Sequence, residues 1–220
     1  MSICVEVWGD YALFSRPEMK TERVSYDIIT PSAARGLIEA IYWHPGLRWS
    51  IDRIRVCAPI RFANVRRNEV KSKILAGDLK SAMGGGARPL VLYTADDIMQ
   101  RSAMVLTGVR YVIEAHFDLT DRAAPGDNPG KFQDIMRRRL EKGQCYHQPC
   151  FGTREFPAHF APCAAPPPCP EELRGERDLG WMLYDLDYSD PANIQSMFFR
   201  AIMRDGVVEV PPRDSGEVRR

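Results

Sequence analysis

The sequence predicts an α+β fold: an N-terminal ferredoxin-like domain over residues 1–148, followed by a small antiparallel β-sheet over 149–220. Three observations predict it. The first part of the chain reads strand, helix, strand, strand, helix, which is most of a split βαβ unit. Residues 161–170, Ala-Pro-Cys-Ala-Ala-Pro-Pro-Pro-Cys-Pro, sustain neither helix nor central strand and mark an exposed connection. Beyond them, alternating runs meet at Asp205-Gly206, a hairpin signal.

The elements follow in order. Ile3, Val5 and Val7 alternate with Cys4, Glu6 and Trp8, a half-buried strand ended by Gly9-Asp10. Thr30-Pro31 pairs a capping hydroxyl with a proline at the first helical position, and Ala34, Leu37, Ile38 and Ile41 repeat at helical spacing until Pro45-Gly46. Ile54, Val56, Ile60 and Phe62 recur on even steps, giving a second strand whose outer face carries Arg53, Arg55 and Arg61. From Asn64 to Arg88 the pattern dissolves into basic residues and Gly84-Gly85-Gly86, so a long mobile loop is expected. Tyr111, Ile113, Ala115 and Phe117 mark a third strand, in a hairpin with the second. Asn128-Pro129 opens a second helix with Phe132, Ile135, Met136 and Leu140 on one stripe and Gly143 as its stop. A fourth strand is expected at 149–156, and Met182–Leu186 and Met197–Val210 supply the small sheet.

With 45% hydrophobic and 27% charged residues in 220, the chain has the apolar material for a core, which excludes disorder over its length. No stretch reaches the roughly 18 apolar residues of a membrane span, and the first residues lack the layout of a secretion signal. A soluble, cytoplasmic protein with no membrane partner is expected. Six cysteines without a C-x-x-C read as reduced thiols. Cys145, Cys150, Cys163 and Cys169 with His147 and His159 match no common zinc spacing, so neither metal nor other cofactor is expected. Thirty Lys and Arg against 29 Asp and Glu give a net charge of +1. That total averages basic segments, 53–80 and 131–142, with acidic ones at 96–97, 118–127 and 185–190, and so predicts a two-sided molecule.

Ile41-Tyr42-Trp43-His44-Pro45 sets a phenol, an indole and an imidazole at a helix end, where packing with a wet polar tip is their ordinary role. Lys131 lies in the first turn of the second helix, off its apolar stripe, and Arg137-Arg138-Arg139 alone reads as a solvated face. A ferredoxin-type (RRM-like) sheet with a basic face and aromatic residues is, however, a frequent RNA platform. On that footing Arg66, Arg67, Lys71 and Lys73 of the loop and Arg137, Arg138 and Arg139 of the helix are candidates for phosphate contacts. Trp43 and Tyr146 are candidates for base stacking.

Three stretches go further: Trp8-Gly9-Asp10-Tyr11-Ala12-Leu13-Phe14, Glu39-Ala40-Ile41-Tyr42-Trp43-His44-Pro45 and Gly152-Thr153-Arg154-Glu155-Phe156. They resemble the CRISPR-associated Cas five family of subtype I-C, also called Dvulg, and the similarity covers nearly the whole chain. The resemblance implies a repeat-associated RNA-binding fold and an endoribonuclease that cuts the CRISPR precursor transcript within each repeat. It further implies that the protein stays on the 5′ handle of the guide RNA, beside other subunits of the subtype I-C interference complex. Family catalysis is assigned to the tyrosine of the Ile-Tyr-Trp motif and to a lysine followed by histidine in the first turn of the second helix. The tyrosine maps onto Tyr42 and the lysine onto Lys131, but position 132 is Phe. His147 and His44 are the candidates to replace the imidazole, ahead of His116 and His159. The segment after Gly143, glycine- and arginine-rich in the family, is here Gln144-Cys145-Tyr146-His147-Gln148-Pro149.

Family members are regarded as metal-independent. The expected reaction is attack of a ribose 2′-hydroxyl on its own 3′ phosphate, giving a 2′,3′-cyclic phosphate and a free 5′-hydroxyl. It requires proton removal, charge neutralisation and leaving-group protonation. Lys131, adding its charge to a helix N-terminus, suits neutralisation. Tyr42, a phenol that ordinarily titrates near about 10, suits orientation or proton shuttling. Two other readings stand beside this one. The missing histidine favours an RNA-binding scaffold without nuclease activity, and the basic loop would serve general nucleic-acid binding, non-specific duplex DNA included.

Overall fold

A computed structural model describes residues 2–19, 21–86 and 90–220. Strand β1 (Ser2–Ala12) buries Val5 and Val7 and turns Glu6 and Trp8 outward, as its alternation predicts. A two-residue strand, β2 (Arg23–Val24), precedes helix α1 (Pro31–Ile41). The Thr30 side chain accepts the Ala33 N–H at 3.2 Å, and the helix buries Pro31, Ala34, Leu37, Ile38 and Ile41. It stops at Ile41 with Tyr42 already extended (φ −148°, ψ 114°), because the approach to Pro45 disfavours helical backbone.

Strand β3 (Leu47–Val56) buries Leu47, Trp49 and Ile51, then Ile54 and Val56. A register shift between Ile51 and Arg53 inserts Asp52 as a bulge, which resets the parity and keeps one face on the core. The expected strand through Phe62 is therefore two: β3 ends at Val56 and β4 (Phe62–Val70) begins anew. Asn64–Val70, expected as loop, is strand, and a helix α2 (Ala76–Met83) follows it. Arg88 lies outside the described residues. The partner of β4 is β5 (Ile98–Leu119), 22 residues long. Its first half forms an arm with β4, flanked by β2 at Ala103–Met104, while its second half lies between β1 and β3. Neither face of the arm is fully buried, so no apolar period announces it.

Helix α3 (Pro129–Lys142) buries Phe132, Met136 and Leu140, with Asn128 accepting the Lys131 N–H at 2.9 Å. Gly143, at φ 62°, ends it, and the Gln144 N–H returns to the Arg139 carbonyl at 2.8 Å. The fourth strand is displaced from 149–156. That segment is a tight loop in which the Phe151 N–H donates to the Phe156 carbonyl, and the strand is β6 (His159–Pro162), paired with β1. A sheet edge tolerates Pro162, as a central strand would not. Strands β7 (Glu176–Asp187), β8 (Gln195–Arg204) and β9 (Val207–Glu209) close the chain. Asp205 and Gly206, at φ 47° and 74°, make the predicted hairpin turn between β8 and β9.

Because β9 also pairs with β3, the sheet runs β6-β1-β5-β3-β9-β8-β7 without interruption. Helix α1 packs on β3 and β7, and α3 on β6. On the opposite face, Arg53 and Arg55 of the expected basic surface are neutralised, while Arg61 is exposed ahead of β4. Arg53 pairs with Glu209 (2.6 Å) and Glu114 (3.0 Å), Arg55 with Glu114 (2.7 Å), and Arg110 with Glu6 (2.5 Å). The acidic partners sit on neighbouring strands and only pairing reveals them. Among the described residues, no helix is long and apolar enough to cross a membrane.

Candidate active site and nucleic-acid interface

The C-terminal end of α1 and the first turn of α3 meet over one aromatic ring. Phe132 is 1% exposed. Its ring centroid lies 6.3 Å from that of Tyr42, 4.9 Å from that of His44 and 6.2 Å from that of Phe117. Phe132 thus belongs to the core, as its place on the apolar stripe predicts. The backbone at Tyr42 is pinned from below by the Trp49 indole N–H, which donates to its carbonyl at 2.9 Å.

Tyr42 is only 6% exposed, and the Arg139 guanidinium lies over its ring at 4.9 Å from the centroid. Arg139 also donates to the Ile41 carbonyl, one of the carbonyls left free by the end of α1. Burial pushes the Tyr42 phenol above its usual 10, against the opposing pull of Arg139 and Lys131, so it stays protonated at neutral pH. Lys131 is half-exposed, and its Nζ donates to Asp127 Oδ1 at 2.8 Å. Asp127, whose side chain is 3% exposed, also accepts the Ala124 N–H at 2.9 Å and lies 4.0 Å from His44 Nδ1. The Lys131 hydrogen bond, first, and the Ala124 N–H hold its carboxyl below the usual range; in return Asp127 raises the Lys131 ammonium.

Tyr42, Lys131 and His44 are therefore brought together, with Arg139 as a fourth member expected instead on a phosphate-binding face. Asp127 was not among the sequence candidates. The available signal was its place just before the Asn128-Pro129 cap, four residues ahead of Lys131, but that spacing also describes an ordinary surface pair.

The other candidates scatter. His147 joins the end of α1 through its backbone, donating to the Ala40 carbonyl at 3.0 Å, while its ring packs on exposed Tyr146 at 4.3 Å. His116 bonds Asp52 (2.6 Å) and His159 stacks on Trp8 (5.8 Å). Both are on the sheet face away from α1 and α3, since Phe117 beside His116 and Phe160 beside His159 face the core. Trp43 is 57% exposed. Arg66, Lys71 and Lys73 are exposed on and just beyond β4. Arg67 is engaged within the molecule, 2.5 Å from Glu155 and 5.5 Å above the Phe156 ring. Arg137 pairs with Asp134 at 3.0 Å, and Arg138 donates to the Asp134 carbonyl at 3.3 Å.

Residues 2–211 match the family described as CRISPR-associated protein (Cas_Cas5), in its Cas5d form. The chain is 50% identical to the CRISPR pre-crRNA endoribonuclease Cas5d of Mannheimia succiniciproducens, over 99% of this chain and 98% of that one. It is 40% identical to the protein of the same description from Thermus thermophilus, over 98% and 94%. A solved structure described as that of a CRISPR-associated protein superposes with a TM-score of 0.68 at 22% identity, covering 100% of this chain and 97% of that one, a likeness of fold alone. With the match spanning nearly its whole length, the chain belongs to the Cas5 family, in the subtype I-C branch called Cas5d.

Proposed function

We propose that this chain binds the repeat of a CRISPR precursor transcript and cuts it as an endoribonuclease, by 2′-hydroxyl attack without a metal ion. It then stays on the 5′ handle of the guide RNA, beside other interference-complex subunits. The observation that carries this reading is the meeting of Tyr42, Lys131 and His44 across the α1–α3 junction, in a chain half identical to a named pre-crRNA endoribonuclease. The strand order β6-β1-β5-β3, antiparallel at every step, with α1 after β1 and α3 after β5, supports a ferredoxin-like reading of this part. On this reading residues 1–148, completed by β6 as the fourth strand, carry the RNA and the reaction, and the rest of 149–220 braces them.

The chemistry follows from the side chains. An ammonium has three N–H donors. Lys131 commits one to Asp127 and keeps two for the oxygens of the scissile phosphate, where charge develops in the transition state. Tyr42, held protonated, is a hydrogen-bond donor and orients the reacting ribose rather than acting as a phenolate base. Arg66, Lys71 and Lys73 extend phosphate contacts along the arm.

The test is cleavage of repeat RNA by the purified protein. A single cut leaving a 2′,3′-cyclic phosphate is expected, unaffected by EDTA and abolished by 2′-deoxy substitution just before the cut. Tyr42→Phe and Lys131→Ala should each slow the chemical step by about 10²–10⁴-fold with RNA still bound. Wild-type rates in both variants would remove the site, and cleavage that needs a metal ion would remove the mechanism. Buried Phe132, at the family histidine's position, favours the second reading, a non-catalytic scaffold; bound but uncut RNA is its outcome.

A further inference from the structure

We propose that Asp127 is the positioning residue of this site, holding Lys131 and His44 as one unit, and that His44 is the group that accepts the 2′-hydroxyl proton. The inference rests on the endoribonuclease reading and deepens it.

A carboxylate as enclosed as that of Asp127 is costly unless it is paired. Asp127 spends one oxygen on the Lys131 ammonium and the other on the Ala124 N–H, and the second oxygen faces the His44 ring 4.0 Å away. The loop that carries Asp127 is clamped onto the residues following His44. Thr120 Oγ1 donates to the Pro45 carbonyl at 2.6 Å, and the Thr120 N–H donates to the Gly46 carbonyl at 3.0 Å. A Cβ at Gly46 would come within 2.8 Å of the Ala123 backbone and 3.1 Å of His44 Nδ1. The close approach that seats Asp127 opposite the imidazole therefore needs glycine there.

His44 is about one-third exposed, so its outer edge reaches solvent while its inner face rests on Phe132. Its Nδ1 accepts the Gly46 N–H at 3.0 Å, which in the neutral ring leaves the proton on Nε2. When the ring turns from Gly46 toward Asp127 and exchanges its proton through solvent from Nε2 to Nδ1, Nδ1–H donates to the carboxylate and Nε2 is bare for substrate. The charged groups facing this ring are Asp127 and, behind it, Lys131.

In the reaction the 2′-O–P bond forms as the P–O5′ bond breaks, and the 2′-hydroxyl proton passes to Nε2. The imidazolium is stabilised by Asp127 through Nδ1–H, the role a carboxylate plays behind a general-base histidine. O5′ takes a proton from water, and the hydroxide so formed recovers the proton from the ring.

The experiment is single-turnover cleavage of repeat RNA by the full chain, with melting temperatures to confirm that each variant folds. Asp127→Asn should lower the rate about 10²-fold or more and leave RNA affinity within about twofold, with Asp127→Glu recovering part of the loss. His44→Ala should lose a comparable factor and regain rate when free imidazole is added, whereas Lys131→Ala should gain nothing from imidazole. A role in packing alone gives no imidazole rescue. Wild-type rates in folded Asp127→Asn, or a folded His44→Ala that cuts normally or ignores imidazole, overturn the inference while leaving the enzyme reading intact. If the wild-type protein binds the RNA and does not cut it, the enzyme reading fails and the inference falls with it.

Discussion

Tyr42 illustrates how one side chain's surroundings decide its chemistry. Two cations lie close enough to lower its phenol, yet burial outweighs them and the hydroxyl remains protonated well past neutrality. Tyr42→Phe should therefore lower the cleavage rate without changing the shape of its pH profile between about pH 6 and 9, which rate measurements on both proteins will check. Gly152 is a second residue whose role is set by its neighbours. It sits at φ 85° with the Leu13 carbonyl oxygen where a Cβ would be, 1.9 Å away. Gly152→Ala should destabilise the fold by on the order of 3 kcal/mol in urea unfolding, from backbone strain and steric conflict together. At this scale the sequence offers Tyr42 and Lys131 through the family resemblance and His44 as a candidate beside them, and the fold brings the three together. Asp127 has no such signal in the sequence, since enclosure by the 120–127 loop is a property of the folded chain.

Among the elements, helices α1 and α3 are legible in detail, whereas α2 lies in a stretch expected as loop. Thr30-Pro31 and Asn128-Pro129 start α1 and α3, apolar stripes fix their buried faces, and Gly143 stops α3, because caps and periodicity are local. The β4–β5 arm is not legible, since two strands with exposed faces leave no period to read. Its basic residues divide by what they touch. Arg66→Ala and Lys71→Ala should each lower the slope of log affinity against log salt for single-stranded repeat RNA by about 0.7. Arg67→Ala, which removes the tie to Glu155 and Phe156, should instead speed amide exchange along Phe62–Val70, measured by hydrogen exchange with mass spectrometry.

For the whole molecule, the apolar interior sets the response to alkali. Burial raises the thiol of Cys57 from 9.0 to about 11, raises that of Cys4, and lifts the phenols of Tyr26, Tyr42, Tyr111 and Tyr184. Each folded-state value lies above the unfolded one. Between the two, the unfolded chain has released protons that the folded chain still holds, so stability falls as pH rises. Melting temperature should decline from about pH 9 upward, steepening above about pH 10, and Cys57→Ala should soften the earlier part of the decline.

Charge at this scale divides the same way. The net +1 and the basic and acidic segments are in the sequence, but Glu114 and Glu209 neutralise Arg53 and Arg55 only because β5 and β9 flank β3. By itself the sequence determined β1, α1, β3, the second half of β5 and α3 in their order, the caps of α1 and α3, the Asp205-Gly206 turn and the family, all of which rest on residues near one another along the chain. Only the tertiary structure decided where the fourth strand lies, that β9 makes one sheet of two, and that Asp127 and Arg139 join Tyr42, Lys131 and His44. Those depend on which distant segments pair and enclose one another, and pairing and enclosure have no local signature.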